Sequence, residues 1–264
     1  MDWSKIKTIF IITFLILDVY LLFQFLQIRD ANKYELVTEA SFEEKLKADE
    51  IKYVELPKAP IKNQYLSAKP KIFKKADLEK LKGKAIILNE GTAIQLVLDK
   101  PYQLSSKFQP ADLADLLKEK VLYGDHYQFW DKNNKRNTIT YFQQYDNFPL
   151  YQDINGMITF QLNTDNQIVS YQQTYLEGME KLTAKEEILP PLKAIETLHQ
   201  KGILKPKSNI TKIELGYSTL IQLTASQVLA PTWRFVVNDK ESLFVNAFEG
   251  QIIQFTSDGK STVE

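Results

Sequence analysis

Few residues in this chain are of the types that do chemistry, and their spacing decides what they could do. The two histidines, His126 and His199, lie at no ligand spacing from one another, and cysteine is absent. That leaves no thiolate nucleophile, no cysteine-type zinc site and no disulfide framework. His126 opens an expected strand and His199 sits beside an expected helix stripe, so both read as structural. Ser257-Asp258-Gly259-Lys260 matches the S-x-x-K of acyl-transferring serine enzymes, but it lies in a polar tail and lacks the S-D-N and K-T-G partners. No G-x-S-x-G, P-loop or G-x-G-x-x-G occurs. The carboxylate pairs Glu43/Glu44, Asp112/Asp115 and Glu186/Glu187 stand at expected helix starts, where the positive end of the dipole accounts for them. Asn209-Ile210-Thr211 fits a glycosylation acceptor, which matters only in a eukaryotic secretory pathway. The expectation is no catalytic residue, no cofactor, no metal and no enzyme. An active site assembled from scattered Asp, Glu and Tyr stays open.

One charged residue resists a structural explanation. Asp18 lies near the middle of Ile6 to Leu26, a run whose other polar members are Lys7 and Gln24 together with Thr8, Thr13 and Tyr20. A helix of this length covers roughly the 30 Å of a bilayer core, and it is apolar on every face, unlike a surface helix. An Asp at that depth costs about 2.5–3.5 kcal/mol on insertion scales. On a helix it shares a face with Ile11, Phe14, Leu15, Leu21, Leu22 and Phe25, and the span contains no Gly or Ala for close backbone packing. Either the Asp is idle, or it hydrogen-bonds a neighbouring helix. The second reading makes Phe14, Asp18, Leu21, Leu22 and Phe25 the candidate partner-binding face.

The competing reading of the same run is a signal peptide, with Lys5 and Lys7 as its positive region. The run is longer than a usual signal core, and Gln27-Ile28-Arg29-Asp30 offers no small-x-small cleavage site, which favours an uncleaved anchor. Lys5, Lys7 and the terminal amine against Arg29 and Lys33 lean slightly toward an N-terminus inside the cell. The expected organisation is residues 1–5 in the cytoplasm, 6–26 across the membrane, 27–39 as a stiff stalk free of Gly and Pro, and 40–264 as a folded domain outside. With Asp2, Lys5, Lys7, Asp18 and Arg29 set aside, 30 basic and 31 acidic residues remain. That balance gives no polyanion-binding surface and excludes nucleic acid as a partner.

The remaining elements follow from periodicity and turn chemistry. Capping boxes at Ser41–Glu44 and Thr183–Glu186 predict helix starts, Ile51 to Leu56 a strand, Lys74 to Lys82 a short helix, and Asn89-Glu90-Gly91 a hairpin between Ala85–Leu88 and Ala93–Leu98. Pro110 opens a helix that buries Leu113, Leu116, Leu117 and Val121. Strands are expected over Tyr127–Trp130, Ile139–Tyr145, Ile158–Leu162 and Val169–Tyr175, with a Gln- and Thr-rich face turned to solvent. Pro191 restarts a helix burying Leu192, Ile195 and Leu198, and strands over Ile210–Leu223, Trp233–Val237, Leu243–Phe248 and Gln251–Phe255 follow. The plan of a helix followed by a meander thus occurs twice, with lobes expected at 40–108 and 109–264. The fold class is α+β, dominated by antiparallel sheet.

Met1-Asp2-Trp3-Ser4-Lys5-Ile6-Lys7-Thr8-Ile9-Phe10-Ile11-Ile12, its continuation Phe14-Leu15-Ile16-Leu17-Asp18, and the later Leu229-Ala230-Pro231-Thr232-Trp233-Arg234-Phe235 and Asn246-Ala247-Phe248-Glu249-Gly250-Gln251-Ile252 resemble the YycI (WalI) family. The resemblance implies a single-pass protein of the Gram-positive cell membrane, with a cytoplasmic N-terminus and an extracellular domain. It further implies association with a YycH-like protein and with the sensor histidine kinase of the WalK/WalR (YycG/YycF) two-component system, which controls cell-wall metabolism. Members of that family are not known as enzymes. The other reading of the domain is an extracytoplasmic PepSY-like module that binds a ligand or inhibits a protease.

Overall fold

A stretch without glycine or proline holds nothing that must interrupt a helix. In the computed structural model, which describes residues 3–57, 61–105, 107–223, 225–255 and 261–263, and whose described side chains omit 4–6, 8–10, 25–41 and 261–263, such a stretch forms α1 (Trp3–Ala48), one helix of 46 residues. Residues 27–39 are therefore helical, and Ser41 starts no new helix as its capping pattern suggested. The end of α1 is a Schellman motif: the Ile51 N–H donates to Leu46 O (2.8 Å) and the Glu50 N–H to Lys47 O (3.1 Å). Glu50 takes the left-handed position, at φ 56°, that glycine more often fills.

Residues 1–52 with 205–208 form one compact unit, and residues 53–204 with 209–264 form another. Within the first, the Lys207 N–H donates to Asp49 O (2.8 Å) and the Lys52 N–H to Ser208 O (3.0 Å). The expected strand over Ile51 to Leu56 reduces to β1 (Lys52–Tyr53). β2 (Lys62–Asn63), β3 (Leu66–Pro70), α2 (Lys75–Leu78), β4 (Lys84–Leu88) and β5 (Ala93–Gln103) follow. The β4–β5 hairpin turns through Asn89, Glu90 and Gly91, all at positive φ. α3 (Ala114–Lys120) is entered through a tight turn at Pro110–Leu113. After it come β6 (Tyr127–Asn133), β7 (Thr138–Tyr145), β8 (Phe148–Pro149), β9 (Met157–Leu162), β10 (Gln167–Thr174), β11 (Leu176–Lys181) and β12 (Glu186–Glu187). α4 (Pro191–Gln200) leads into β13 (Asn209–Gln222), β14 (Gln227–Val237), β15 (Glu241–Asn246), β16 (Ile252–Phe255) and β17 (Ser261–Val263).

Among the described residues the second unit holds two large antiparallel sheets beside the two-stranded β12–β2 ladder. The first runs β4-β5-β10-β9-β7-β6. Leu113, Leu116, Leu117 and Val121 pack on it against Leu96, Ile139, Ile158, Phe160, Ile168 and Tyr171, as the helical stripe predicted. The second runs β13-β14-β15-β16-β17, with β3 beside the start of β14 and β11 beside β3. α4 buries Ala194, Ile195 and Leu198, while Leu192 is only half buried. α3 thus packs on the first sheet, and the sheets do not divide at residues 108/109. A cut there would remove β4 and β5 from the sheet that β10 completes.

Three further expectations give way to identifiable causes. Ile168, not Val169, is buried, because β10 shifts register between Ile168 and Ser170. Thr183–Glu186 caps no helix: Glu186 and Glu187 pair with Asn63 and Lys62 as the short β12–β2 ladder. The division into an aromatic and a Gln-rich face is incomplete: Gln143 and Gln173 are buried on the aromatic face, two residues on from Tyr141 and Tyr171, while Gln161 and Gln172 on the other face are exposed.

Candidate functional site

The face expected to meet a partner lies on α1. Phe14, Leu21 and Leu22 are 59%, 52% and 57% exposed, and Asp18 between them is exposed as well. The side chain of Phe25 lies outside the described residues. Exposure does not single this face out: Ile12, Ile16, Leu17, Val19, Tyr20 and Phe23 on the other sides are equally bare. What marks it is the carboxylate. One turn in from the N-terminus, Lys7 Nζ sits 5.9 Å from the centre of the Trp3 ring, an i, i+4 cation–π pair. Near the far end, Gln24 Nε2 donates to Tyr20 Oη (3.1 Å), which satisfies a polar group within the helix itself.

Among the described residues no helix is long and apolar enough to cross a membrane. The side chains at the two ends of the expected span, Ile6, Thr8, Ile9 and Phe10 on one side and Phe25 and Leu26 on the other, lie outside that set. The part between, Ile11 to Gln24, amounts to roughly 21 Å of helix against a bilayer core of roughly 30 Å.

The second place where the fold could meet another molecule is a cleft of about 600 Å³ where the chain passes from β10 to β11. Asp125, His126, Gln143, Asp146, Tyr175 and Glu177 are among its walls. Tyr175 stacks on Tyr123, with ring centres 4.5 Å apart, and its hydroxyl lies 2.7 Å from His126 Nδ1. Burial pushes the Tyr175 phenol up to about 12, so it keeps its proton at neutral pH and is a hydrogen-bonding group, not a base. Glu177 pairs with Lys71 at 2.9 Å, and that bond raises the lysine pKa. The side chains of Asp125 and His126 are 83% and 47% exposed, which leaves them solvated. His126 is thus held by a tyrosine, and among the described residues no group of three or more His, Cys, Asp or Glu is placed to hold a metal ion.

Behind the cleft, buried polar groups join the two sheets. Gln143, 2% exposed, holds the backbone of Leu176 from both sides. Asp153 accepts hydrogen bonds from Thr219 Oγ1 (2.8 Å), the Asn155 N–H (2.9 Å) and Gln227 Nε2. These donors are all neutral, and burial raises the Asp153 pKa. Trp130 of β6 stacks under the Arg234 guanidinium of β14, 4.2 Å from ring centre to Cζ. A single sequence carries no mark that separates these residues from solvated Gln, Asp and Trp, because their partners lie in other elements.

A model of the YycI protein family matches residues 31–248. The chain belongs to the YycI family. Comparison with curated proteins finds no match. Among solved structures, this YycI-family chain is similar to an uncharacterized protein from Eubacterium rectale, at 10% identity and a TM-score of 0.44 over 78% of this chain and 89% of that one. It is also similar to YycH from Bacillus subtilis, at 20% identity and a TM-score of 0.41 over 74% of this chain. The YycI-family chain spans 54% of YycH. The Bacillus megaterium YpeB C-terminal domain matches at 11% identity and a TM-score of 0.38, over 64% of this chain and 70% of that one. The YycI match begins at residue 31, beyond the apolar run that carries Asp18.

Proposed function

We propose that this chain is a membrane-anchored accessory protein that adjusts a WalK/YycG-like sensor histidine kinase, together with a YycH-like partner, and so affects cell-wall homeostasis. In this reading residues 6–26 cross the cell membrane, the N-terminus is cytoplasmic and the folded domain lies outside. The observation that carries it is the belt of exposed apolar side chains from Ile11 to Phe23 around a single carboxylate. Water would not tolerate such a surface on every side of a helix, whereas lipid and a neighbouring helix would. Trp3 beside Lys7 fits the headgroup level, where aromatic and cationic side chains collect. Membership in the YycI family supports the regulatory role and the choice of partners.

The mechanism is a population shift and not a chemical step. The helix face binds one state of the kinase better than the other, and a coupling of about 1–3 kcal/mol changes activity several-fold or more. The test is exchange of residues 6–26 for an unrelated membrane span. Loss of the effect on kinase signalling is expected, and signalling that persists unchanged overturns the helix mechanism. Crosslinking scanned through residues 9–26 adds the face: yields should peak at Phe14, Asp18, Leu21 and Phe25, and uniform yields would mark a passive anchor.

A ligand-binding or protease-inhibiting module is the second reading, favoured by the cleft beside Tyr175. It predicts that the domain keeps its effect after the span exchange.

A further inference from the structure

Strand β5 departs from its neighbours in one place. Val97 pairs with Ser170, and the next pair, Tyr102 with Ile168, lies five residues further along β5 but only two residues back along antiparallel β10. The β4 ladder ends at the same point, with Lys84 opposite Val97. The surplus residues Leu98-Asp99-Lys100-Pro101 therefore bulge away from the sheet, and Pro101 brings no N–H that would need a partner there. Tyr102 closes one end of the bulge by donating from its hydroxyl to Asp112 O (2.8 Å).

Under the bulge lies a cleft of about 390 Å³. Leu98, Pro101, Tyr102 and Leu116 provide apolar walls, and Lys82, Lys100 and Lys120 stand around them with Asp99. Leu116 belongs to the core of the first sheet, so these walls are fixed. Some lysines elsewhere pair with carboxylates, Lys71 with Glu177, Lys193 with Glu196 and Lys212 with Glu214. Among the described residues Lys82, Lys100, Lys120 and Asp99 form no ion pair. Among the lining residues three ammonium groups stand against one carboxylate, an excess of positive charge in a chain that is neutral as a whole.

We infer that this cleft binds a small amphiphilic anion, a phosphate or carboxylate joined to a short apolar group. The ammonium groups take the anion and the Leu98, Pro101, Tyr102 and Leu116 walls take the apolar part. The site is separate from the α1 face and stands whether or not the helix mechanism does.

The test is calorimetric titration of the full chain in a non-ionic detergent with phenyl phosphate and, separately, with inorganic phosphate. Phenyl phosphate is expected to bind at least tenfold more tightly than inorganic phosphate and to weaken severalfold as salt is raised. Binding should fall tenfold or more in the triple variant K82Q/K100Q/K120Q and in L98S, with K45Q, K75Q and K201Q as charge-matched controls that leave it unchanged. Unfolding midpoints near that of the wild type would exclude misfolding as the cause of a loss, and K100Q alone provides a milder substitution if the triple variant is unstable. Equal binding of the two phosphates overturns the role of the apolar walls, and equal binding by wild type and the triple variant overturns the site. Capture of phosphatidylglycerol vesicles through the same lysines, without binding of phenyl phosphate, would overturn the small ligand in favour of a lipid surface.

Discussion

The Gln143 side chain holds Leu176 as a neighbouring strand would: its Nε2 donates to Leu176 O and its Oε1 accepts the Leu176 N–H, both at 2.8 Å. Leu176 is where the chain has just left the first sheet for the second, so one amide from β7 supplies a rung that no backbone provides. Gln143→Ala leaves two buried backbone groups unpaired and is expected to cost about 2–4 kcal/mol in denaturant unfolding. A loss within ~0.5 kcal/mol would show that water or a shifted backbone replaces the rung.

Asp153 makes stability depend on pH in an unusual direction. Its folded pKa is raised by burial, so the native state holds the proton more tightly than the unfolded chain. The associated stability is fully present below the unfolded value, about 3.9, and is lost as pH rises through the folded value. The advantage of wild type over Asp153→Asn should therefore grow on acidification from neutral pH toward 4, by up to roughly 1.4 kcal/mol per pH unit. Urea midpoints of the two proteins between pH 4 and 8 check this. An advantage that stays flat or shrinks in acid contradicts it.

Arg234 is fixed by three groups from three strands: Trp130 beneath it, Glu214 Oε2 at 2.9 Å from Nη1, and Ser242 Oγ at 3.0 Å from Nε. A double-mutant cycle of Trp130→Leu and Arg234→Gln is expected to give a coupling of about 0.5–2 kcal/mol. Arg234→Lys should not restore it, because an ammonium lacks the planar fork that meets the ring and both oxygens together. Zero coupling would mean that the stack contributes nothing between the sheets.

Gly216 lets the segment after β8 lie against β13. A Cβ there would stand 2.5 Å from Pro149 O and 2.6 Å from the Tyr151 ring, and the backbone oxygen cannot move aside cheaply. Gly216→Ala is expected to cost about 1–3 kcal/mol, read from the unfolding midpoint. A neutral substitution would show that the segment has room to lift.

Local pattern carried much of this fold. The stripe from Leu113 to Val121 and the turn at Asn89-Glu90-Gly91, where all three residues have positive φ, were legible because neighbours in sequence determine them. Errors came where distant residues decide. The β10 register shift moved burial from Val169 to Ile168, and Glu186 and Glu187 followed β2 instead of their capping pattern. Gln143 lies in a strand expected to be wet on one face and nothing local marks Asp153, yet both are buried. Of the candidate site, the α1 face was proposed from the sequence, and the described residues show its Phe14, Asp18, Leu21 and Leu22 exposed. It gave no sign of the cleft beside Tyr175, whose walls come from segments as far apart as Asp125 and Met179.

The absence of any break in α1 has a mechanical consequence. A helix of 46 residues is roughly 70 Å long, and without glycine or proline it has no hinge to absorb twist. Its two ends are keyed in phase, each residue fixing about 100° of rotation. Removing one residue from 27–39 would turn the side of the rod that carries Asp18 by that angle relative to Phe42 and Leu46 on the same helix, whereas removing seven would return it nearly to its starting azimuth. If orientation is what the rod transmits, its effect on signalling should rise and fall with the number of residues removed, and not decline steadily with length.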